Sequence, residues 1–296
     1  MSETVSFVIV TRNRCDSVLR CLASVEAQDY PNREIVVVDN GSTDDTLESV
    51  RHRFPLVRLV PLARNEGVPA ARNRGMKAAR GGICIMIDDD ARLAEPDAAS
   101  RAIARLSRDA RLACVSFRIL DGETGRDALK TVPLARKRVL KDDTPIAYFC
   151  GAGFAIRKTS FIEAGRFWEP LEYAGEELDL SCRLLSAGFR LSYAASIPVA
   201  HDEIPAGRPR GQWIYHQARN RLWVAARNLP WPYVLTTVLL WWSYLAGKSL
   251  LSGERRFFLQ GARDGLAGLP RVLKDRRPVT PEIAAEIRRL SGRLWY

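Results

Sequence analysis

Three apolar runs that each end on polar or acidic residues limit the fold of this chain more than any other feature. Val5–Val10 leads into the polar turn Thr11–Arg14, Ile35–Val38 into Asp39, Asn40 and Gly41, and Ile83–Ile87 into Asp88, Asp89 and Asp90. The runs are continuously apolar and rich in β-branched residues, which marks strands buried on both faces. Between them the spacing turns helical. Val18, Leu19, Leu22 and Val25 recur on one face of residues 15–27, and Val68–Ala79 forms a second helix. Val57–Val60 is a further strand, and Ser42 or Thr43 is predicted to cap a helix with Asp44 and Asp45 in its first turn. This order predicts an α/β fold, a mostly parallel sheet flanked by helices. Ligands bind such sheets beyond the carboxyl ends of the strands, where Asp39 and Asp88–Asp90 fall.

Beyond residue 112 the pattern loosens. A strand at Leu112–Phe117 precedes a polar stretch from Asp121 to Thr144, then the glycine turn Cys150-Gly151-Ala152-Gly153 and a helix from about Arg157. Glu176-Glu177-Leu178-Asp179 opens a helix running to about Ala187, with Gly188 at its C-terminal cap. Leu191–Tyr193 and Ile197–Ala200 read as two short strands, the second leading to His201. The six cysteines show no C-x-x-C spacing and several sit in apolar runs, which predicts reduced thiols and a cytoplasmic setting. Val5–Val10 reads as a strand and not as the core of a signal peptide.

The formal net charge of +11 is unevenly placed. Residues 1–203 hold 29 basic and 29 acidic side chains, while residues 204–296 hold 16 basic and 5 acidic. The division is into a neutral domain, 1–203, and a basic, Trp-rich helical extension, 204–296. Trp213, Trp223, Trp231, Trp241 and Trp242 crowd the start of that extension, and residues 228–247 carry no charge. Pro230 and Pro232 leave roughly 15 residues of uninterrupted helix where a span needs about 20. An interfacial helix on an anionic membrane surface is therefore expected.

Several constellations can carry chemistry. Adjacent carboxylates at Asp88–Asp90 repel one another, and their i, i+2 oxygens suit Mg2+ or Mn2+ holding a diphosphate; the plainer reading is a solvated acidic turn. Asp39 can accept from a ribose hydroxyl or a base imide, or merely shape an Asx turn. Arg72 matches a phosphate bidentately, or is a surface arginine. Glu176, Glu177 and Asp179 gain from a helix N-terminus, and one of them can serve as general base on an acceptor hydroxyl. His201 is a candidate third metal ligand.

Taken in order, the segments VSFVIVTRNR (5–14), VVVDNGSTDDT (36–46), NEGVPAARNRG (65–75), AARGGICIMIDDD (78–90), CGAGFAIRK (150–158) and GEELDLSCRL (175–184) resemble family 2 glycosyltransferases of the GT-A fold, over about 200 residues. The resemblance implies inverting transfer from a nucleoside-diphosphate sugar with Mg2+ or Mn2+ on the diphosphate. It places Thr11, Arg12 and Asp39 around the nucleoside, Asp88 with Asp89 and Arg72 on the nucleotide sugar, and Asp90 with Asp88 and His201 on the metal. Gly151, Ala152 and Gly153 correspond to the loop facing donor sugar or acceptor. Glu177 occupies the base position, where an aspartate is more frequent in the family, and Glu176 is the second candidate.

Two other classes compete. A nucleotidyltransferase would carry a glycine-rich, lysine-containing loop after the first strand, and Thr11–Arg14 is not one. A nucleic-acid-binding module could use the basic extension, but no standard motif accompanies it, so nucleic acid is not the expected partner. The Q-x-x-R-W motif of processive synthases is missing, since Gln217 is followed by Ala218, Arg219 and Asn220. The expectation is transfer of one sugar to a glycan or polyprenyl-linked acceptor, by an enzyme peripheral on the cytoplasmic membrane face.

Overall fold

The computed structural model describes residues 3–134, 137–203 and 211–291. Strands and helices alternate through the first third: β1 (Val5–Thr11), α1 (Cys15–Glu26), β2 (Arg33–Asp39), α2 (Thr46–Arg53), β3 (Arg58–Pro61), α3 (Val68–Ala78) and β4 (Ile83–Asp88). There follow β5 (Ala91–Leu93), α4 (Ala98–Arg108), β6 (Leu112–Asp121), β7 (Thr144–Ile146), β8 (Gly153–Arg157), α5 (Lys158–Glu163), α6 (Glu176–Ser186) and β9 (Arg190–His201). Helices α7 (Gln212–Asn228), α8 (Trp231–Leu251), α9 (Arg255–Lys274) and α10 (Pro281–Ser291) complete the described chain.

Among the described residues one sheet runs β3-β2-β1-β4-β8-β6-β9-β5, with β7 also paired to β9. The first four strands are parallel, as continuous apolar runs require. The sheet then becomes mixed, because β8 returns antiparallel between β4 and β6. Register aligns the strand ends: Thr11 lies opposite Asp39 and Val10 opposite Asp88. On the far side β5 pairs antiparallel with β9, Ala91 opposite His201, which carries the histidine back to the aspartates.

Successive side chains of a strand point to opposite faces, and the core divides accordingly. Val5, Phe7, Ile9, Ile83, Ile85 and Ile87 pack beneath α1 and α4. Val8, Cys84, Met86, Phe154 and Ile156 share the second core with Leu180 and Leu184 of α6, and this core continues into Ala225, Ala226, Leu229, Val272 and Ile287 of the later helices. Packing thus crosses the charge boundary at residue 203.

Three local expectations differ from the structure. The helix α2 starts at Thr46, not at Ser42 or Thr43, because those two residues tie the loop to Asn13 instead: Ser42 Oγ accepts from the Asn13 amide at 2.9 Å and Asn13 Oδ1 accepts from the Thr43 amide at 2.7 Å. The two short strands expected at 191–193 and 197–200 are one strand, β9, whose register on β6 jumps between Ala194 and Pro198. Helix α8 has 21 residues, not about 15, since Pro230 is its N-cap and Pro232 sits in the first turn, where no amide hydrogen is needed.

Helix α8 packs only one side on the protein, through Val234, Thr237, Leu245 and Ser249. Its other side exposes Trp231, Leu235 (64%), Leu239 (67%), Leu240, Tyr244, Leu250 and Leu251 (93%). By length and composition it is the one helix, among the described residues, that could cross a membrane.

A chain cut to residues 1–203 uncovers the second core where α7–α10 had sealed it. It is expected to lose cooperative thermal unfolding, and a transition within about 5 °C of the full chain in calorimetry would contradict this packing argument.

Candidate active site

The acidic cluster at the end of β4 divides in two. Asp89 and Asp90 turn inward and are nearly buried. Asp89 accepts from Thr11 Oγ1 at 2.8 Å, and Arg14 Nη1 reaches Asp89 at 2.9 Å and Asp90 at 2.6 Å. Burial, partly countered by Arg14, raises the Asp89 carboxyl to about 6. Asp88, the most open of the three, faces Arg72 at 3.0 Å.

Asp90 and His201 meet at 3.0 Å, Nε2 to Oδ1, and Asp88 Oδ2 lies 4.0 Å from the same nitrogen. The donor atoms of Asp88, Asp90 and His201 all fall within 4.8 Å of one another. Two carboxylates and an imidazole are donors that suit Mn2+ or Mg2+, and His201 Nδ1 is buried without a hydrogen-bond partner. Burial would lower the His201 pKa, but the Asp90 hydrogen bond and the charges of Asp88, Asp90 and Glu203 raise it. The donor set therefore fits a divalent cation, which would relieve the mutual repulsion of the carboxylates.

On the other side of Asp88 stands Arg72, on α3. It is 5% exposed, so the surface reading of this residue is corrected. Its Nη2 donates to Gly151 O and pairs with Asp88, both at 3.0 Å, while Nη1 pairs with Glu177 at 2.9 Å and Glu176 at 3.3 Å. The guanidinium also lies over Phe167 and Phe154. Burial alone would weaken its hold on the proton, yet the charges of Asp88, Glu177 and Glu176 raise its pKa.

Glu176 and Glu177 start α6, after Gly175 in the left-handed region at φ +95°. Glu176 is buried, with Oε2 lacking a partner, and burial together with the Glu177 charge pushes its pKa up against Arg72. Glu177 is more open, its side chain 21% exposed. Its carboxylate lies against the Cα of Gly151, where any side chain would begin 1.9 Å from Glu177 Oε1. Ala152 O accepts from the Asp88 amide, and Gly153 is enclosed by Val199 and Phe117.

Asp39 is 3% exposed, with Oδ2 accepting from the Ser42 amide at 3.3 Å and Oδ1 unpartnered. Arg12 is exposed. Arg14, two residues on, was missed in the sequence; the alternation of Arg12 and Arg14 after β1 was its only signal. Asp179 is fully buried among Arg183, Arg227 and Asn228.

A glycosyl transferase family 2 profile matches residues 6–165. The chain is 26% identical over 298 residues to the N-acetylglucosaminyl-diphospho-decaprenol L-rhamnosyltransferase of Mycobacterium tuberculosis, an alignment covering 86% of this chain and 97% of that protein. It is 33% identical to the chondroitin synthase of Escherichia coli over 114 residues, 38% of this chain and 16% of that one. Among solved structures, the mannosyltransferase PcManGT from Pyrobaculum calidifontis, in complex with GDP-Man and Mn2+, superposes with a TM-score of 0.59 at 20% identity, covering 96% of this chain and 78% of that chain. TarS of S. aureus (1–349) gives 0.65 at 17%, covering 95% and 82%. A profile match over more than half of the chain, on a mixed sheet shared with these structures, sets the nucleotidyltransferase alternative aside: the chain belongs to glycosyl transferase family 2 and is a glycosyltransferase with a GT-A-like α/β fold.

Proposed function

We propose that the chain transfers a single sugar, with inversion, from a nucleoside-diphosphate sugar to a hydroxyl of a glycan or polyprenyl-linked acceptor, and that it does so at the cytoplasmic face of the membrane. The observation that carries this reading is the Arg72 guanidinium, which pairs with Glu177 on one side and Asp88 on the other. It sets a partly open carboxylate across from the Asp88–Asp90–His201 donor group.

In this reading Glu177 accepts the proton of the acceptor hydroxyl as that oxygen bonds to the anomeric carbon and the bond to the diphosphate breaks. Glu176 is the weaker candidate because its carboxyl is enclosed and inclined to hold its own proton. Asp88, Asp90 and His201 would hold Mg2+ or Mn2+, whose charge when bound stabilises the departing diphosphate. Asp39 has a buried oxygen free to accept from the nucleoside. Thr11 and Arg14 keep Asp89 and Asp90 in place. The relative whose name specifies a diphospho-decaprenol substrate supports a lipid-linked acceptor.

The outer side of α8 supports membrane attachment. Its leucines and aromatics are exposed as a strip, and Arg255, Arg256, Arg263, Arg271 and Lys274 follow on the exposed surface of α9. One side of α8 remains packed on α7 and α9, so it lies along the interface in this proposal.

A screen of UDP-, GDP- and dTDP-sugars with Mn2+ identifies the donor. With it, Glu177→Gln should lower kcat by about 100-fold or more and leave nucleotide binding intact. Asp90→Asn should instead weaken Mn2+ binding in calorimetry by at least about tenfold. Near-parental turnover in the first, or unchanged titration in the second, removes the respective assignment.

Glu176 makes a separate prediction for stability. Its folded pKa stands above the ordinary 4.5. The native state therefore binds the proton more tightly, and that contribution is complete below the unfolded value and lost as pH rises through the folded one. Glu176→Gln cannot ionise, so in EDTA its Tm relative to the parent should climb by a few degrees from acid to alkaline pH. A difference that stays flat or shrinks would contradict the buried carboxyl.

Flotation with phosphatidylglycerol vesicles tests attachment in the full chain. Leu235→Glu with Leu239→Glu should cut binding by at least about tenfold, since an immersed leucine contributes roughly 1.5–3 kcal/mol. Equal flotation of both proteins, or salt-sensitive capture of oligonucleotides in place of vesicles, would refute it.

A further inference from the structure

Glu177 follows a loop that is strained although its first turn is closed by its own backbone, the Glu172 amide donating to Glu169 O at 3.0 Å and the Tyr173 amide to Leu171 O at 2.6 Å. Glu172, Ala174 and Gly175 all occupy the left-handed region, at φ +59°, +66° and +95°, and two of the three are not glycine. Such a conformation persists only where the surroundings over-determine it. Here the surroundings come from α7, about 45 residues further along and beyond the family profile match at 6–165. Asn220, 2% exposed, directs Nδ2 at three backbone carbonyls: Leu171 at 2.9 Å, Tyr173 at 2.7 Å and Ala174 at 2.8 Å. Arg219 is also buried; its Nη2 donates to Leu171 O at 2.9 Å and Pro170 O at 3.3 Å, and its Nη1 pairs with Glu172 at 3.2 Å.

Two turns later the same helix grips α6 itself. Arg227 and Asn228 both reach Oδ1 of the fully buried Asp179, two residues after Glu177. From the opposite side, the first amide of α3 donates to Glu172 O at 2.7 Å, and Arg72 holds the two glutamate carboxylates. Helix α7 is therefore the outer jaw of a clamp on residues 170–179, and Arg72 with α3 is the inner one.

We infer that Arg219 and Asn220 are positioning residues for the transfer reaction, fixing the strained 170–175 loop so that Glu177 stands against Gly151 and Arg72. This rests on the reading of Glu177 as the base. The helical extension then completes the active site as well as attaching the enzyme. The donors are side-chain N–H groups and the acceptors are main-chain carbonyls, so the brace is independent of the loop's side chains except for Glu172.

The test is Asn220→Ala in the full chain, followed by hydrogen–deuterium exchange and by kinetics with whichever of the UDP-, GDP- and dTDP-sugars the parent turns over. Amides of residues 172–178 should exchange at least about tenfold faster while those of β1 and β4 stay protected. The turnover number should fall about a hundredfold, with KM for the donor and Mn2+ affinity within about threefold of the parent, as a displaced reacting group predicts. If Asn220→Ala does not fold, Arg219→Lys is carried through the same measurements, since lysine keeps the charge and loses the fork to two carbonyls. A loosened loop with kcat within about threefold of the parent, or unchanged exchange, overturns the inference. A parent that turns over none of the sugars sinks the donor reading instead, and the exchange comparison still decides the brace.

Discussion

The arrangement depends on one buried guanidinium. Arg72 sits where an arginine is expensive to place, and a lone charge there would cost several kcal/mol of lost hydration. It is tolerated because Asp88, Glu176, Glu177 and the Gly151 carbonyl surround it with acceptors. These come from three separated parts of the chain: the end of β4, the turn before β8 and the first turn of α6. The end of β4 and the first turn of α6 bring like-charged carboxylates together, and the shared cation offsets the repulsion that would drive them apart. Arg14 does the same for Asp89 and Asp90. The two arginines divide five carboxylates between them, and the remaining excess of negative charge lies beside His201, where a divalent cation fits.

The parallel half of the sheet was legible because its signal is local. Continuous apolar runs ending on aspartate specify both the strand and the point where it stops, and register then gathers Thr11, Asp39 and Asp88 at one edge. His201 could be suspected but not located, since its approach to Asp90 depends on the antiparallel pairing of β5 with β9. The ion pairs of Arg14 and Arg72 were illegible for a different reason. A charged residue on a helix or in a polar turn is ordinarily solvated, and Arg72 is buried by residues distant in the sequence, among them Phe154, Phe167, Glu176 and Glu177. Pro232 misled about α8 because proline breaks a helix interior but fits its first turn.

The position of Glu176 beside Glu177 shows how environment separates two identical side chains. Both face Arg72 from one helix turn. Glu176 is enclosed, so its charged form is disfavoured and its proton held. Glu177 keeps part of its surface open and has Gly151 beneath it, whose lack of a Cβ leaves room for the carboxylate where it stands. Sequence alone names the pair; solvent access distinguishes its members.

The extension, finally, is less simply a cationic surface than its composition implied. Of its 16 basic residues, Arg219 and Arg227 turn inward to the loop and helix carrying Glu177. Arg276 reaches back to the Ala226 and Leu229 carbonyls at the end of α7. Arg221 stacks on Trp241 at 3.9 Å, and Trp242 donates to Ala218 O, so α8 is fastened to α7 through its aromatics. Successive positions of one helix thus face different partners: 219 and 220 the loop before Glu177, 218 and 221 the apolar helix beside it. A segment that looks like an appendage by charge is mechanically continuous with the site. A shift of α8 is therefore transmitted to the helix that holds the loop before Glu177, because α7 is bonded to both, while α9 and α10 give α8 further contacts with the rest of the protein.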